Sequence, residues 1–177
     1  VMMLSASAAA LVAVVLLAGA VGHAAKPSVL AGALRAHDMF APRLVAPLAV
    51  AVPLAELAPA LLAAHALLTG RPGELRAAMS GAAVLLCGYA AYAFHVARTR
   101  EEVPCGCSAG ATPMTVWVAV RAAALAVLAA CAVVGADPAV TAAGHRLVIA
   151  ALAGAVFGTM LWELPSMMTP PPNRSLR

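Results

Sequence analysis

The chain has 177 residues, of which 64% are hydrophobic and only 10% charged, with a formal net charge of +4. A soluble domain is about 45–50% apolar and about 25% charged, so this chain has too few charges to cover a water-facing surface. Its basic residues are scattered through short segments rather than gathered in a stripe. That sets nucleic acid aside as a partner and leaves these residues to orient the chain in a lipid bilayer.

The first apolar run, Met2 to Val21, reaches the ~20 residues needed to cross ~30 Å of hydrocarbon. A secretory signal peptide would place basic residues before a shorter apolar core. None precedes this run, so a retained membrane helix is expected. Lys26-Pro27 ends it. Ser28 is the expected cap of a short helix to about Phe40, with Val29, Leu30, Ala33, Leu34 and Phe40 apolar and Arg35, His37 and Asp38 polar. That pattern suits a helix at the membrane interface, with a plain loop as the alternative.

Leu44 to Leu68 is the expected second span, and it contains Glu56 among Pro47, Pro53 and Pro59. Membrane helices tolerate proline where neighbours satisfy the freed carbonyls, so a bent helix is expected. A polar turn over 69–76 leads to a third span, Ala77 to Ala97. The stretch "REEVPCGCSAGATP", Arg100 to Pro113, is polar and carries Cys105 and Cys107 around Gly106. A fourth span follows, Val116 to Ala136, with Arg121 inside it, and then a fifth, about Leu147 to Trp162. The predicted fold is thus all-α, a single bundle of about five transmembrane helices over 1–163 with an interfacial helix after the first. A Pro-rich flexible tail is expected over 164–177.

Five spans put Lys26, Arg35, Arg43, Arg98, Arg100, Arg174 and Arg177 on one side, against Arg71, Arg76 and Arg146 on the other. The positive-inside rule then places the Cys-Gly-Cys loop in the cytoplasm. Redox chemistry points the other way, because a stable disulfide wants an oxidising compartment.

Cys87 and Cys131 lie inside apolar runs, where a cysteine behaves as a small hydrophobe. Cys105 and Cys107 lie in a polar context and form a candidate redox pair. A disulfide across one residue closes a very small ring, and Gly106 permits the backbone angles it needs. Ring strain makes such a disulfide oxidising. Pro104 fixes the start of the motif, and Pro113 is expected to start the next helix. The rival chemistry is zinc, which wants four ligands. The loop supplies two, His95 is a candidate third, and His23 or His37 would share that face.

Glu56 lies about twelve residues into its span, roughly 18 Å deep at 1.5 Å per residue, and Arg121 is shallower in the fourth. A buried charge costs at least ~2.5–3.5 kcal/mol on insertion scales, so each needs a partner or a wet cavity. Two readings stay open: an ion pair that fixes helix register, or a proton-handling carboxyl beneath the redox loop.

The segments "AGAVGHAAKP", "APRLVAPLAVAVPLAEL" with Glu56, "CGC" after the third helix and Arg121 early in the fourth resemble, in this order, the MauE group of the DoxX/MauE superfamily of small bacterial membrane proteins. The resemblance covers about residues 2–135. It implies a four-helix core, to which the fifth span is an addition, and a plasma-membrane partner of a thioredoxin-like protein in an exported thiol–disulfide system. The positions carried over are Cys105, Cys107, Glu56, Lys26 and Arg121. The resemblance also favours an extracytoplasmic loop, against the charge count. A quinone as electron carrier is an analogy with other disulfide-handling helical bundles. Other readings are a structural or assembly subunit of a larger membrane complex, its Cys-Gly-Cys clamping a partner or a metal, and a small-molecule carrier built around Glu56.

Overall fold

The computed structural model describes residues 2–100, 103–106, 113–141 and 144–168. Among the described residues seven helices follow in chain order: α1 (Met2–Ala25), α2 (Pro27–His37), α3 (Pro42–Thr69), α4 (Pro72–Thr99), α5 (Val116–Val134), α6 (Ala136–Val140) and α7 (His145–Met168). Five of them, α1, α3, α4, α5 and α7, are long and apolar enough to cross a membrane. The protein is an all-α, multi-pass membrane bundle.

Proline sets three of the helix starts. Pro27, Pro42 and Pro72 each stand in the first turn, where the missing N–H would have had no intrahelical partner. The clash of Pro27 with the residue before it holds Lys26 out of the helical region and separates α1 from α2. Ser28, the expected cap, therefore lies inside α2. That helix stops at His37, short of Phe40, because Asp38 turns left-handed with φ 51; a short polar side chain tolerates that conformation. Leu30, Ala33, Leu34 and His37 form the buried stripe of α2, and Leu30 and Leu34 pack on Val45 and Ala49 of α3.

α3 runs unbroken through Pro47, Pro53 and Pro59. The segment expected to link the fourth and fifth spans contains α6, whose Asp137 pairs with Arg76 of α4. α7 continues to Met168, beyond the expected end of the fifth span. Positions 169–177 of the expected tail lie outside the described residues.

α1 is the centre of the bundle, more than half buried, while the outer helices keep most of their surface exposed. Its neighbours reach it through small residues. A Cβ on Gly154 of α7 would sit 2.7 Å from the Leu11 backbone nitrogen and 3.1 Å from the Ser7 carbonyl. Close approach through small residues is how membrane helices associate when lipid removes the hydrophobic drive. Gly154→Val should push α7 off α1 and cost about 1–3 kcal/mol, the usual penalty for overpacking. The check is a lowered thermal midpoint in detergent.

Candidate functional site

Among the described residues of the segment between α4 and α5, Cys105 and Met114 are buried. The base of this segment is closed by an isolated antiparallel bridge between Pro104 and Pro113. Neither proline has an N–H to give, so the bond comes from the Met114 amide, which donates to the Val103 carbonyl at 2.8 Å. Pro113 is therefore a bridge partner and not the first residue of a helix; α5 begins at Val116. Cys107 and residues 108–112 lie outside the described residues.

Closing the base folds Cys105 inward. The expected polar setting is corrected by the structure: Cys105 is 8% exposed and packs with Ala93 and Val96 of α4, Met114, and Val118 and Ala119 of α5. Gly106 makes this possible twice over. It adopts φ +75, and an added Cβ would lie 2.7 Å from the Ala33 Cβ on α2. Cys87 and Cys131, read as small hydrophobes, lie exposed on the spans α4 and α5.

α2 holds the loop from the other side. His37 is 2% exposed and bridges two elements. Its Nε2 lies 2.7 Å from the Pro104 carbonyl and its Nδ1 lies 2.7 Å from the Tyr92 hydroxyl. A carbonyl only accepts, so Nε2 carries a proton, and in the neutral ring Nδ1 accepts from Tyr92. Phe40 stacks on the other part of Tyr92, with ring centroids 5.8 Å apart. Arg100 closes the edge by donating to the Asp38 carboxylate at 3.2 Å.

Deeper in the bundle Glu56 is 4% exposed. Its Oε1 lies 3.6 Å from His23 Nε2 on α1. Gly19, one turn before His23, leaves the room: a Cβ there would come within 3.2–3.3 Å of the carboxylate atoms. Arg121 turns to α7, donating to the Trp162 carbonyl at 3.2 Å and lying 5.1 Å over the Trp162 ring. The contacts of Arg121 are thus with Trp162, and Glu56 sits against His23.

One interior cavity joins these groups. It measures about 130 Å³, and Cys105, His37, Tyr92, Glu56, His23 and Arg121 all border it, with Tyr89 and Trp162. Cys105, Glu56 and Arg121, named from the sequence, are brought together on it. Pro104 and Gly106 dock the loop beside it. Two named residues are left outside. Lys26 is exposed at the start of α2, and His95 is exposed on the outer face of α4. Among the described residues no three His, Cys, Asp or Glu side chains gather as a metal-binding set.

Sequence reasoning weighed His37 and His23 only as metal ligands and missed Tyr92, Tyr89 and Trp162. The signal for His37 was available. It stands at the fourth position of the Leu30, Ala33, Leu34 stripe, at helical spacing.

Burial lowers the His37 imidazole from its ordinary value, and the bond to the Pro104 carbonyl partly opposes that shift. A histidine depressed in the folded protein binds fewer protons folded than unfolded as the pH falls through the unfolded value. Its contribution is therefore intact above about pH 6.5 and is lost progressively below it. The thermal midpoint should fall on acidification below about pH 6.5, and His37→Gln should flatten that fall. An unchanged slope in the variant would remove His37 from the docking of the loop.

Comparison with known protein families matches residues 1–135 to the family described as methylamine utilisation protein MauE. No curated protein and no solved structure matches the chain.

Proposed function

The chain belongs to the MauE family, and from that premise we propose that this membrane protein is a thiol–disulfide relay. Cys105-Gly106-Cys107 exchanges electrons or disulfides with a thioredoxin-like partner that matures exported proteins. The loop faces the outer side of the bacterial plasma membrane, where a disulfide persists. The observation that carries the reading is Cys105 itself, a buried sulfur on the wall of a cavity that also holds Glu56 and Arg121.

In either direction the exchange passes through a mixed disulfide. A thiolate of one protein attacks a sulfur of the other's disulfide. One S–S bond breaks, one forms between the proteins, and a thiolate leaves. The second thiol of the attacking pair then resolves the adduct, so the net transfer is two electrons and two protons. Thiolates are the nucleophiles, so the relay needs a proton acceptor near the pair. Glu56 is the carboxyl in the shared cavity, whose wall also carries Arg121. His37 and Gly106 position the loop.

The test is trapping. Cys107→Ser should leave a mixed disulfide through Cys105 in intact cells, resolved by non-reducing electrophoresis, with Cys105→Ser as the reciprocal control. No adduct with either variant, together with full complementation by the double variant, would overturn the relay. Labelling of the reduced pair by an impermeant maleimide in intact cells supports the outer location. Labelling only after lysis reverses it.

A further inference from the structure

Two cavities meet at one histidine. The interior one, of about 130 Å³, lies between Cys105 and the Glu56–His23 contact. The other is a groove of about 360 Å³ formed by α1 and α3, walled by Ala20, Val21, Ala24, Pro53 and Leu57 and also bordered by His23. Both helices are membrane spans, and apart from His23 the groove's lining is apolar.

The dimensions select a shape. An apolar cavity of ~150 Å³ takes a single benzene ring, so the interior cavity suits one six-membered ring. The groove suits a hydrocarbon tail leaving that ring past His23. The chemistry selects the kind of ring. A dithiol that becomes a disulfide gives up two electrons and two protons. An acceptor in this cavity must be one ring wide, largely apolar, and able to take both. The wall carries groups able to hydrogen-bond to carbonyl oxygens, among them His23 and Arg121, beside the Glu56 carboxylate and in a lining made mostly of apolar side chains.

We propose that the interior cavity binds the headgroup of an alkyl-tailed benzoquinone, with its tail in the α1–α3 groove. The inference rests on the thiol reading for its electrons. The balance is simple. Two S–H bonds of the dithiol are lost and one S–S bond forms. The two electrons and two protons pass to the quinone's two carbonyl oxygens, giving the hydroquinone. The protein's disulfide is thereby regenerated.

The test uses the full chain in detergent. Trp117 is exposed on α5 and Trp162 lines the cavity, and these are the only two tryptophans. Trp117→Phe leaves Trp162 as the sole reporter. A benzoquinone with a two-isoprenoid tail should quench it saturably. The tail-less benzoquinone, and a naphthoquinone with the same tail, should each bind at least about tenfold more weakly, a difference of about 1.4 kcal/mol. Ala122→Phe, filling the cavity, should weaken the tailed benzoquinone by a similar factor. Ala24→Phe, filling the groove, should weaken only the tailed compound, which keeps the test sound if Ala122→Phe does not fold. Unsaturable quenching, or no advantage of the tail, would overturn the site.

Adding the tailed benzoquinone to reduced protein without oxygen should remove both maleimide-reactive thiols of the pair and yield one hydroquinone per protein. Binding without that oxidation would overturn the acceptor role. The Cys105→Ser, Cys107→Ser double variant should still bind the tailed benzoquinone saturably but convert none of it to hydroquinone. Saturable binding there, with no trapped adduct in cells, would sink the relay and leave the binding site standing.

Discussion

Gly106→Ala is expected to slow thiol exchange at least about 30-fold, the equivalent of about 2 kcal/mol. Two penalties act on the same atom. An L-residue with φ +75 pays about 1–2 kcal/mol for the left-handed region. The new Cβ would also press on Ala33 from 2.7 Å, an overpacking that typically costs about 1–3 kcal/mol. The loop relieves both by lifting from α2, which moves Cys105 out of the cavity wall. The measurement is the rate of disulfide exchange between the purified protein and dithiothreitol, with the maleimide reactivity of Cys105 read alongside. Exchange should fall while that reactivity rises. Ala33→Gly placed in the same chain should recover the steric part and leave the backbone part. Wild-type exchange in the single variant would mean that the docked loop is not the working form.

Glu56→Gln is expected to lower relay turnover by about 100-fold, the low end of what a positioned acid–base group contributes, while the bundle still folds. The amide keeps the shape of the carboxyl beside Gly19 and His23 but takes up no proton. The pH–rate profile separates this from mere packing. Loss of a proton acceptor removes the acidic limb of the profile, whereas a packing defect scales the whole curve. Turnover within a few-fold of wild type, with the limb preserved, would make Glu56 a structural residue. Glu56→Leu should show the same kinetic loss, with His23 then buried against an apolar neighbour.

The five spans were legible because hydrocarbon thickness imposes one length on every apolar helix, and that length survives uncertainty at the ends. What escaped was decided by helical phase and by contacts distant in sequence. His95 and Tyr92 lie three residues apart on α4. The buried stripe of that helix runs through Leu75, Met79, Ala82, Leu86, Ala93 and Val96. Tyr92 lies beside the stripe and meets His37, whereas His95 is turned to the exposed face. Nearness to Cys105 in the chain drew attention to His95 and away from Tyr92. Arg121 and Glu56 were compared by depth, which fixes height in the bilayer but not direction around the helix. Arg121 met Trp162 on α7, the helix beyond the family's matched region. The inward fold of Cys105 was hidden because composition marks its loop as polar, while a bridge between two prolines decides where the loop goes.

The central position of α1 bears on how the protein is made. Within this chain α1 precedes every helix that later surrounds it. During synthesis it must enter lipid before those neighbours exist, so it has to be stable there by itself. It is accordingly the most apolar of the five spans, although in the finished bundle it meets the least lipid. Its side chains thus answer two surroundings in succession. Leu11, Val12 and Leu16 first satisfy the bilayer, and the same helix later receives α3, α5 and α7. A polar substitution at one of them would act first on insertion, before any effect on the folded bundle could be measured.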